Sequence, residues 1–274
     1  MDQEECTLRM EERMSVTVMN FSGVYKEQEF YQSKRIDKRV EAEQVEETNC
    51  YCTEEAEEKI KKLIEPYPAK GIHFLDSGNY HYVTKFWMEK LTKPFSLVLF
   101  DQHTDMQEAA FFGLLSCGSW VRAALEQNEL LKAVCVVGPP QKSIEEVFKS
   151  SKEEPWIDKV CFVSGEELEA HRQTVYDRFL EKNSIPVYLS VDKDILREED
   201  ASANWDQGEM SLEELLALIK SCFEKQTIAG VDICGENAKK EGNWEASEVE
   251  KNNKTNLILL ETIGQWMKEQ EVNR

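Results

Sequence analysis

The sequence predicts an α/β fold, a three-layer α/β/α sandwich built on a mostly parallel sheet, and three observations point there. Short β-branched or apolar runs recur along the chain: SVTVMN, GIHFLD, SLVLFD, AVCVVG, KVCFVS, PVYLSVD and IAGVDI. They are apolar on successive residues rather than alternate ones, which is the pattern of strands buried on both faces. Helical patterns fill the intervals, and strands alternating with helices imply parallel pairing through right-handed crossovers. Finally, 274 residues with 41% hydrophobic content can bury a sizeable core, and one domain over residues 1–274 is expected.

Several helices announce their starts. Ser143-x-x-Glu146, Ser164-x-x-Glu167 and Ser211-x-x-Glu214 read as capping boxes, in which the Ser oxygen and the Glu carboxylate satisfy backbone N–H groups left over at a helix start. YHYVTKFW, Tyr80 to Trp87, reads as a helix face packed on the sheet. Residues 26–65 and 239–255 are polar enough to read as loops, exposed helices or a flexible tip at the periphery. His73, inside GIHFL, reads as a core histidine, and His171, in a charged helical stretch, as a solvated one.

Charge narrows the function. With 53 acidic against 33 basic residues the net charge is −20, which repels phosphate backbones and anionic lipid. Nucleic acid and membrane partners are not expected. MDQEECTLRMEER lacks the basic and apolar segments of a signal peptide, and no apolar run is long enough to span a bilayer, so a cytoplasmic location is expected. The eight cysteines are scattered, three of them inside strand-like runs, with CYC at Cys50 and Cys52 the close pair and no C-x-x-C. That suits reduced thiols better than a disulfide framework or a cysteine zinc site.

The chemistry-bearing stretch is LVLFDQHTDMQ, Leu97 to Gln107, which sets Asp101, His103 and Asp105 at every second position after an apolar run. If the chain continues extended past the strand, these side chains project to one side. Asp192 and Asp194 follow a second strand at the same spacing in VYLSVDKDIL. In a parallel sheet both groups lie at the carboxyl edge, where ligands bind. Four close carboxylates repel one another unless a cation neutralises them. Oxygen donors mixed with imidazole favour Mn²⁺ or a similar divalent ion, and their number suits two ions. With 12 aspartates and four histidines in 274 residues, composition alone yields about 0.01 D-x-H-x-D triples. An Asp-rich helix cap is the plainer alternative for the D-x-D pair, which carries weight through the strand before it.

FDQHTD resembles the D-A-H-x-D motif, and LSVDKDIL the S-x-D-x-D motif, of the arginase, agmatinase and formiminoglutamase superfamily, the ureohydrolases. GNYH, Gly78 to His81, stands where that family has G-G-D-H, and the order of elements extends the resemblance from Gly71 to Glu236. The resemblance implies a parallel α/β/α sandwich of the arginase and deacetylase type and two Mn²⁺ ions, with Zn²⁺ or Fe²⁺ as alternatives. It makes His81, Asp101, His103, Asp105, Asp192 and Asp194 the metal ligands, with Asp101, Asp105 and Asp192 bridging or shared. It also gives Asp194 a catalytic role, taking the proton of the attacking water to the leaving nitrogen.

The sequence departs from the family at two places. LLSCGSWV puts Cys117-Gly118 where guanidine-cleaving members have His-Gly, so Cys117 is either a nucleophile or shuttle or a structural thiol. VDICGENAK puts Glu236 four positions after Asp232, where the family's substrate-gripping acid stands three positions on, so Glu236 is either a displaced clamp or a helix-start carboxylate. Trp120, Asn204, Trp205 and Gln207 are candidates for a pocket mouth or for packing. The expected function is a dinuclear metal hydrolase of a linear, non-peptide C–N bond, of guanidino, formimino or amide type, in a small-molecule substrate. The alternatives are a single-zinc, deacetylase-like amide hydrolase and a metal-stabilised binding protein without catalysis. The sequence leaves a homo-oligomer open.

Overall fold

A computed structural model of the chain describes residues 15–109, 113–170, 174–238 and 244–272. Among the described residues, ten strands run β1 (Ser15–Asn20), β2 (Lys38–Glu41), β3 (Tyr51–Cys52), β4 (Gly71–Phe74), β5 (Phe95–Phe100), β6 (Leu115–Ser116), β7 (Leu131–Gly138), β8 (Val160–Ser164), β9 (Val187–Asp192) and β10 (Ile228–Cys234). The α-helices are α1 (Glu54–Ile64), α2 (Val83–Met88), α3 (Trp120–Gln127), α4 (Gln141–Ser150), α5 (Gly165–Glu169), α6 (Thr174–Lys182), α7 (Leu212–Lys225) and α8 (Ala246–Val272).

Eight strands form one sheet in the order β2-β1-β4-β10-β9-β5-β7-β8, every pair parallel, while β3 and β6 make a small antiparallel pair beside it. All seven predicted strand runs lie in the large sheet. Its eighth strand, β2, sits in the polar stretch read as periphery; three of its four residues are exposed, as an edge strand permits.

Successive strand residues serve opposite faces. Leu97 and Leu99 of β5, with Val134 and Val136 of β7, pack among side chains of α1 to α4. Val98 and Phe100, with Cys135 and Val137, pack among those of α6 to α8. Burial on both sides is why the runs carry no polar alternation. The helix starts at Ser164 and Ser211 are closed capping boxes. The expectation at Ser143 does not hold: α4 begins earlier, after Pro140, and Ser143 lies inside it. The polar stretch near the carboxyl end includes the start of α8, and His171 lies outside the described residues.

The parallel order brings the carboxyl ends of β4, β10, β9 and β5 side by side at the middle of one edge. Along that edge, Cys234 pairs with Asp192 and Phe100 with Val191, which fixes how deep each following side chain sits.

Candidate metal centre and active site

Asp101 follows β5 directly and is 1% exposed. The chain then turns rather than continuing extended: His103 N donates to Asp101 Oδ1 at 2.6 Å, and Asp105 takes φ 51°. The spacing of two therefore converges through an aspartate-capped turn, not through the strand pleat expected from sequence. The same device recurs after β9, where Asp194 N donates to Asp192 Oδ1 at 3.0 Å and opens a short 3₁₀ turn over Lys193–Ile195. His81 arrives from the other side, at the end of the 3₁₀ turn Gly78–Tyr80 that follows β4.

These side chains meet in two groups that share Asp101. In the first, His81 Nδ1 lies 3.2 Å from Asp101 Oδ2, 3.3 Å from Asp105 Oδ2 and 3.4 Å from Asp192 Oδ2. In the second, His103 Nδ1 lies 2.9 Å from Asp194 Oδ2 and 3.4 Å from Asp101 Oδ1. His81 with Asp101 and Asp105, His81 with Asp192 and Cys234, and Asp101 with His103 and Asp194 are each close enough to hold a metal ion among them. His81 Nδ1 is buried and has no hydrogen-bond partner among the described residues, while its Nε2 is 2.9 Å from Ser190 Oγ. A ring nitrogen held without a hydrogen bond among three carboxylate oxygens fits a cation between them.

The electrostatics agree. Burial opposes a charge on His81, yet the neighbouring Cys234 and the carboxylates of Asp101, Asp105 and Asp192 push its pKa well above the usual range. His103 is likewise pushed up to about 12, against burial, by Asp101 and Asp194. Burial and then Asp101 raise Asp105 to about 6; burial, Asp192 and Asp101 raise Asp194 well above the ordinary carboxylate range. Buried carboxylates crowded until protons are retained are the pattern a divalent cation resolves.

The cluster opens into a cavity of about 810 Å³. Its walls include Thr104, Met106, Gln107, Cys50, Cys117 and Trp205, with one face of α4, Ser143, Glu146, Val147 and Ser150, as the outer side. Trp205 is 43% exposed at the mouth, its ring 6.0 Å from that of His103. Trp120 is fully buried beneath, and its Nε1 donates to Asp105 Oδ2 at 2.5 Å. Asn204 instead bonds Ser77 and Ala238, and Gln207 borders a separate cavity of about 410 Å³.

Cys117 lines the main cavity beside Cys50, whose carbonyl accepts the Cys117 N–H at 3.0 Å. The interaction with Cys50, burial and the charge of Asp105 all push the Cys117 thiol up, so a thiolate is disfavoured there. Glu236 is placed elsewhere than the clamp reading required. It is fully buried, pairs with the Lys193 ammonium, and accepts from Gln28 Nε2 at 2.6 Å and Asn256 Nδ2 at 2.7 Å; among the described residues it is not part of the cavity wall. Gly235 explains why no acid precedes it: at φ 94° a Cβ there would lie 2.3 Å from Asp192 Oδ1 and 2.6 Å from Lys193 N. His73 is a core histidine, bonded to Asp232 at 2.7 Å and stacked on Trp87.

Sequence reasoning missed Trp120 as the partner of Asp105, and missed Lys193 and Cys234. Lys193, between the two aspartates of the D-x-D pair, was the available signal.

Known proteins resemble this architecture. A model of the arginase family matches residues 25–247. An uncharacterized protein of Thermotoga maritima is 32% identical over 248 residues, covering 90% of this chain and 89% of its own. Among solved structures, formimidoylglutamase from Bacillus subtilis superposes with a TM-score of 0.65 at 12% identity, over 92% of this chain and 87% of that one. Proclavaminate amidino hydrolase from Streptomyces clavuligerus gives 0.62 at 15% identity, over 91% of each chain. Agmatine ureohydrolase of Thermoplasma volcanium gives 0.60 at 19%, over 94% and 92%. With the family model spanning most of its length and these structures sharing its fold at low identity, the chain belongs to the arginase family as a divergent member.

Proposed function

We propose that the chain is a cytoplasmic, metal-dependent hydrolase that cleaves a linear, non-peptide C–N bond of guanidino, formimino or amide type in a small molecule. The observation that carries this reading is the nest around His81 Nδ1, three carboxylate oxygens within 3.4 Å of a buried nitrogen without a hydrogen bond. His81 with Asp101, Asp105 and Asp192 would hold one divalent ion and Asp101, His103 and Asp194 a second, whose oxygen-rich donors suit Mn²⁺. Ions held there would supply the positive charge that lowers the pKa of a bound water toward neutrality and polarises the carbon under attack.

The chain's own groups do the rest. Asp194 Oδ2, held at 2.9 Å from His103 Nδ1, is the carboxylate that accepts the proton of the attacking water and passes it to the leaving nitrogen. Trp120 fixes Asp105 from below, and its buried ring excludes water from that side. Trp205 and the α4 face border the volume where the substrate sits. Guanidines suit the site least. The position of the family's histidine is a thiol held protonated, and position 235 has no room for an acidic side chain.

Two measurements test the reading. Protein loaded with Mn²⁺ should contain close to two ions per chain, and Asp192→Asn should lose at least one. The loaded protein should release ammonia or a carboxylate from one member of a panel of formimino, acylamino, ureido and guanidino compounds. A single zinc that survives Asp105→Ala overturns the dinuclear centre; two ions with no product from any compound leave a metal-stabilised binding protein.

A further inference from the structure

Cys234 ends β10, and the strand register sets it beside Asp192. It is 1% exposed, and its Sγ donates to Asp192 Oδ2 at 3.1 Å. A nitrogen of His81, a carboxylate oxygen of Asp192 and the sulfur of Cys234 lie within 4.8 Å of one another. Metal–nitrogen, –oxygen and –sulfur bonds of about 2.0–2.3 Å allow one ion to reach three donors so spaced. The second indication is independent of the sulfur: His81 Nδ1, 1% exposed and lacking a hydrogen bond among the described residues, is aimed at the same carboxylate oxygen from 3.4 Å.

The plain reading of a buried strand cysteine is a small apolar filler. Here the residue belongs to the apolar cluster of Leu97 and Val134, yet its sulfur meets a carboxylate. Gly235 lies against Asp192 Oδ1, closely enough that a Cβ would stand 2.3 Å away, and Asp194 N donates to that same oxygen. The carboxylate is thereby gripped on one side while its other oxygen is shared between the thiol and the His81 nitrogen.

We propose that Cys234 is a ligand of the ion held by His81 and Asp192, so that this half of the centre prefers a borderline ion such as Zn²⁺, Co²⁺ or Fe²⁺ over Mn²⁺. The inference rests on the metal-centre reading of the proposed function. Binding breaks the S–H bond: the sulfur electron pair goes to the ion and the proton leaves to solvent, the ion's charge offsetting the burial of the thiolate. The other half, Asp101, His103 and Asp194, offers oxygen and imidazole without sulfur and suits the harder ion. The two halves therefore differ in metal preference.

Chelator-stripped protein titrated with Co²⁺ tests this. Visible ligand-field bands report that Co²⁺ binds, and a near-ultraviolet thiolate-to-cobalt charge-transfer band should appear with them. Cys234→Ser should lose the ultraviolet band and keep the visible ones, whereas Cys50→Ser and Cys117→Ser should keep both. In competition, Cys234→Ser should weaken the Zn²⁺ over Mn²⁺ preference by roughly tenfold or more, since even changes beyond the ligands themselves cost 10–100-fold. Zinc-edge X-ray absorption of the wild-type protein, which needs no variant to fold, should find a sulfur at about 2.3 Å. Visible bands without the ultraviolet band, an ultraviolet band that survives Cys234→Ser, or a zinc edge without sulfur overturns the role of Cys234 and leaves the metal centre standing. No Co²⁺ binding at all overturns the metal centre and this inference with it.

Discussion

Replacing Glu236 by alanine would leave the Lys193 ammonium, itself fully buried, with Asn256 Oδ1 at 2.9 Å as its remaining acceptor. Removing one member of a buried ion pair costs about 3–5 kcal/mol, because the other charge stays desolvated. Gln28 Nε2 also loses its 2.6 Å acceptor, whereas Asn256 Nδ2 keeps Gln28 Oε1 at 2.7 Å. The expected loss is therefore about 4 kcal/mol, which at about 2–4 °C per kcal/mol for chains near this size lowers Tm by roughly 8–16 °C. Thermal melts and urea unfolding followed by circular dichroism measure it. Lys193→Met combined with Glu236→Leu removes both charges and should recover more than half of the loss, since apolar replacement of a buried pair is often close to neutral. Because Lys193 lies between Asp192 and Asp194, Glu236→Ala should also weaken metal binding. If Glu236→Ala melts within about 2 °C of wild type and instead raises KM, the buried-network argument fails and the clamp role returns.

Gly235→Ala forces a side chain at φ 94° into Asp192 and the Lys193 backbone. It should cost at least about 1–3 kcal/mol from the backbone alone and reduce Mn²⁺ stoichiometry by calorimetric titration; unchanged stoichiometry with an unchanged melt refutes it. L-Arginine should give urea at near background rates, because proton-transfer help worth about 10²–10⁴ in rate is missing where Cys117 replaces histidine; turnover at ordinary enzyme rates would show that Cys117 is misassigned. Glu41 is held down to about 2, against burial, by hydrogen bonds from Tyr31, Lys26 and Asn20. Its folded pKa lies below the unfolded one, so its stabilisation is present above about pH 4.5 and fades as pH falls toward 2. Glu41→Gln should flatten the stability profile across that window and lower stability by a constant amount at pH 7 to 8, where the contribution is fully present; an equal slope in both proteins argues against the assignment.

The central strands were legible because burial on both faces writes uninterrupted apolar runs, and Asp101, His103, Asp105, Asp192 and Asp194 were legible because two short motifs follow such runs. The edge strand β2, KRVE, carries no such signature: its exposed residues are free to be charged. The turn after Asp101 was hidden for a different reason. Periodicity describes regular backbone, and the convergence there depends on an aspartate capping its own chain two residues on. The partners of Glu236 were out of reach because Gln28 and Lys193 are 208 and 43 residues away in sequence. Cys234 looked like core filler, since its meaning comes from Asp192 on the neighbouring strand.

The strand order has a consequence for how the chain comes off the ribosome. β9 and β10 are the last strands made, yet they occupy the middle of the sheet, between β4 and β5. At about 5–20 residues per second, β5 waits on the order of ten seconds for its neighbour β9 to be synthesised. Until β9 and β10 are made, neither β4 nor β5 has its neighbour on that side, and an apolar strand edge left unpaired invites association with other chains. Insertion of that pair seals the sheet and, in the same movement, delivers Asp192 and Asp194 to the residues already waiting at its edge.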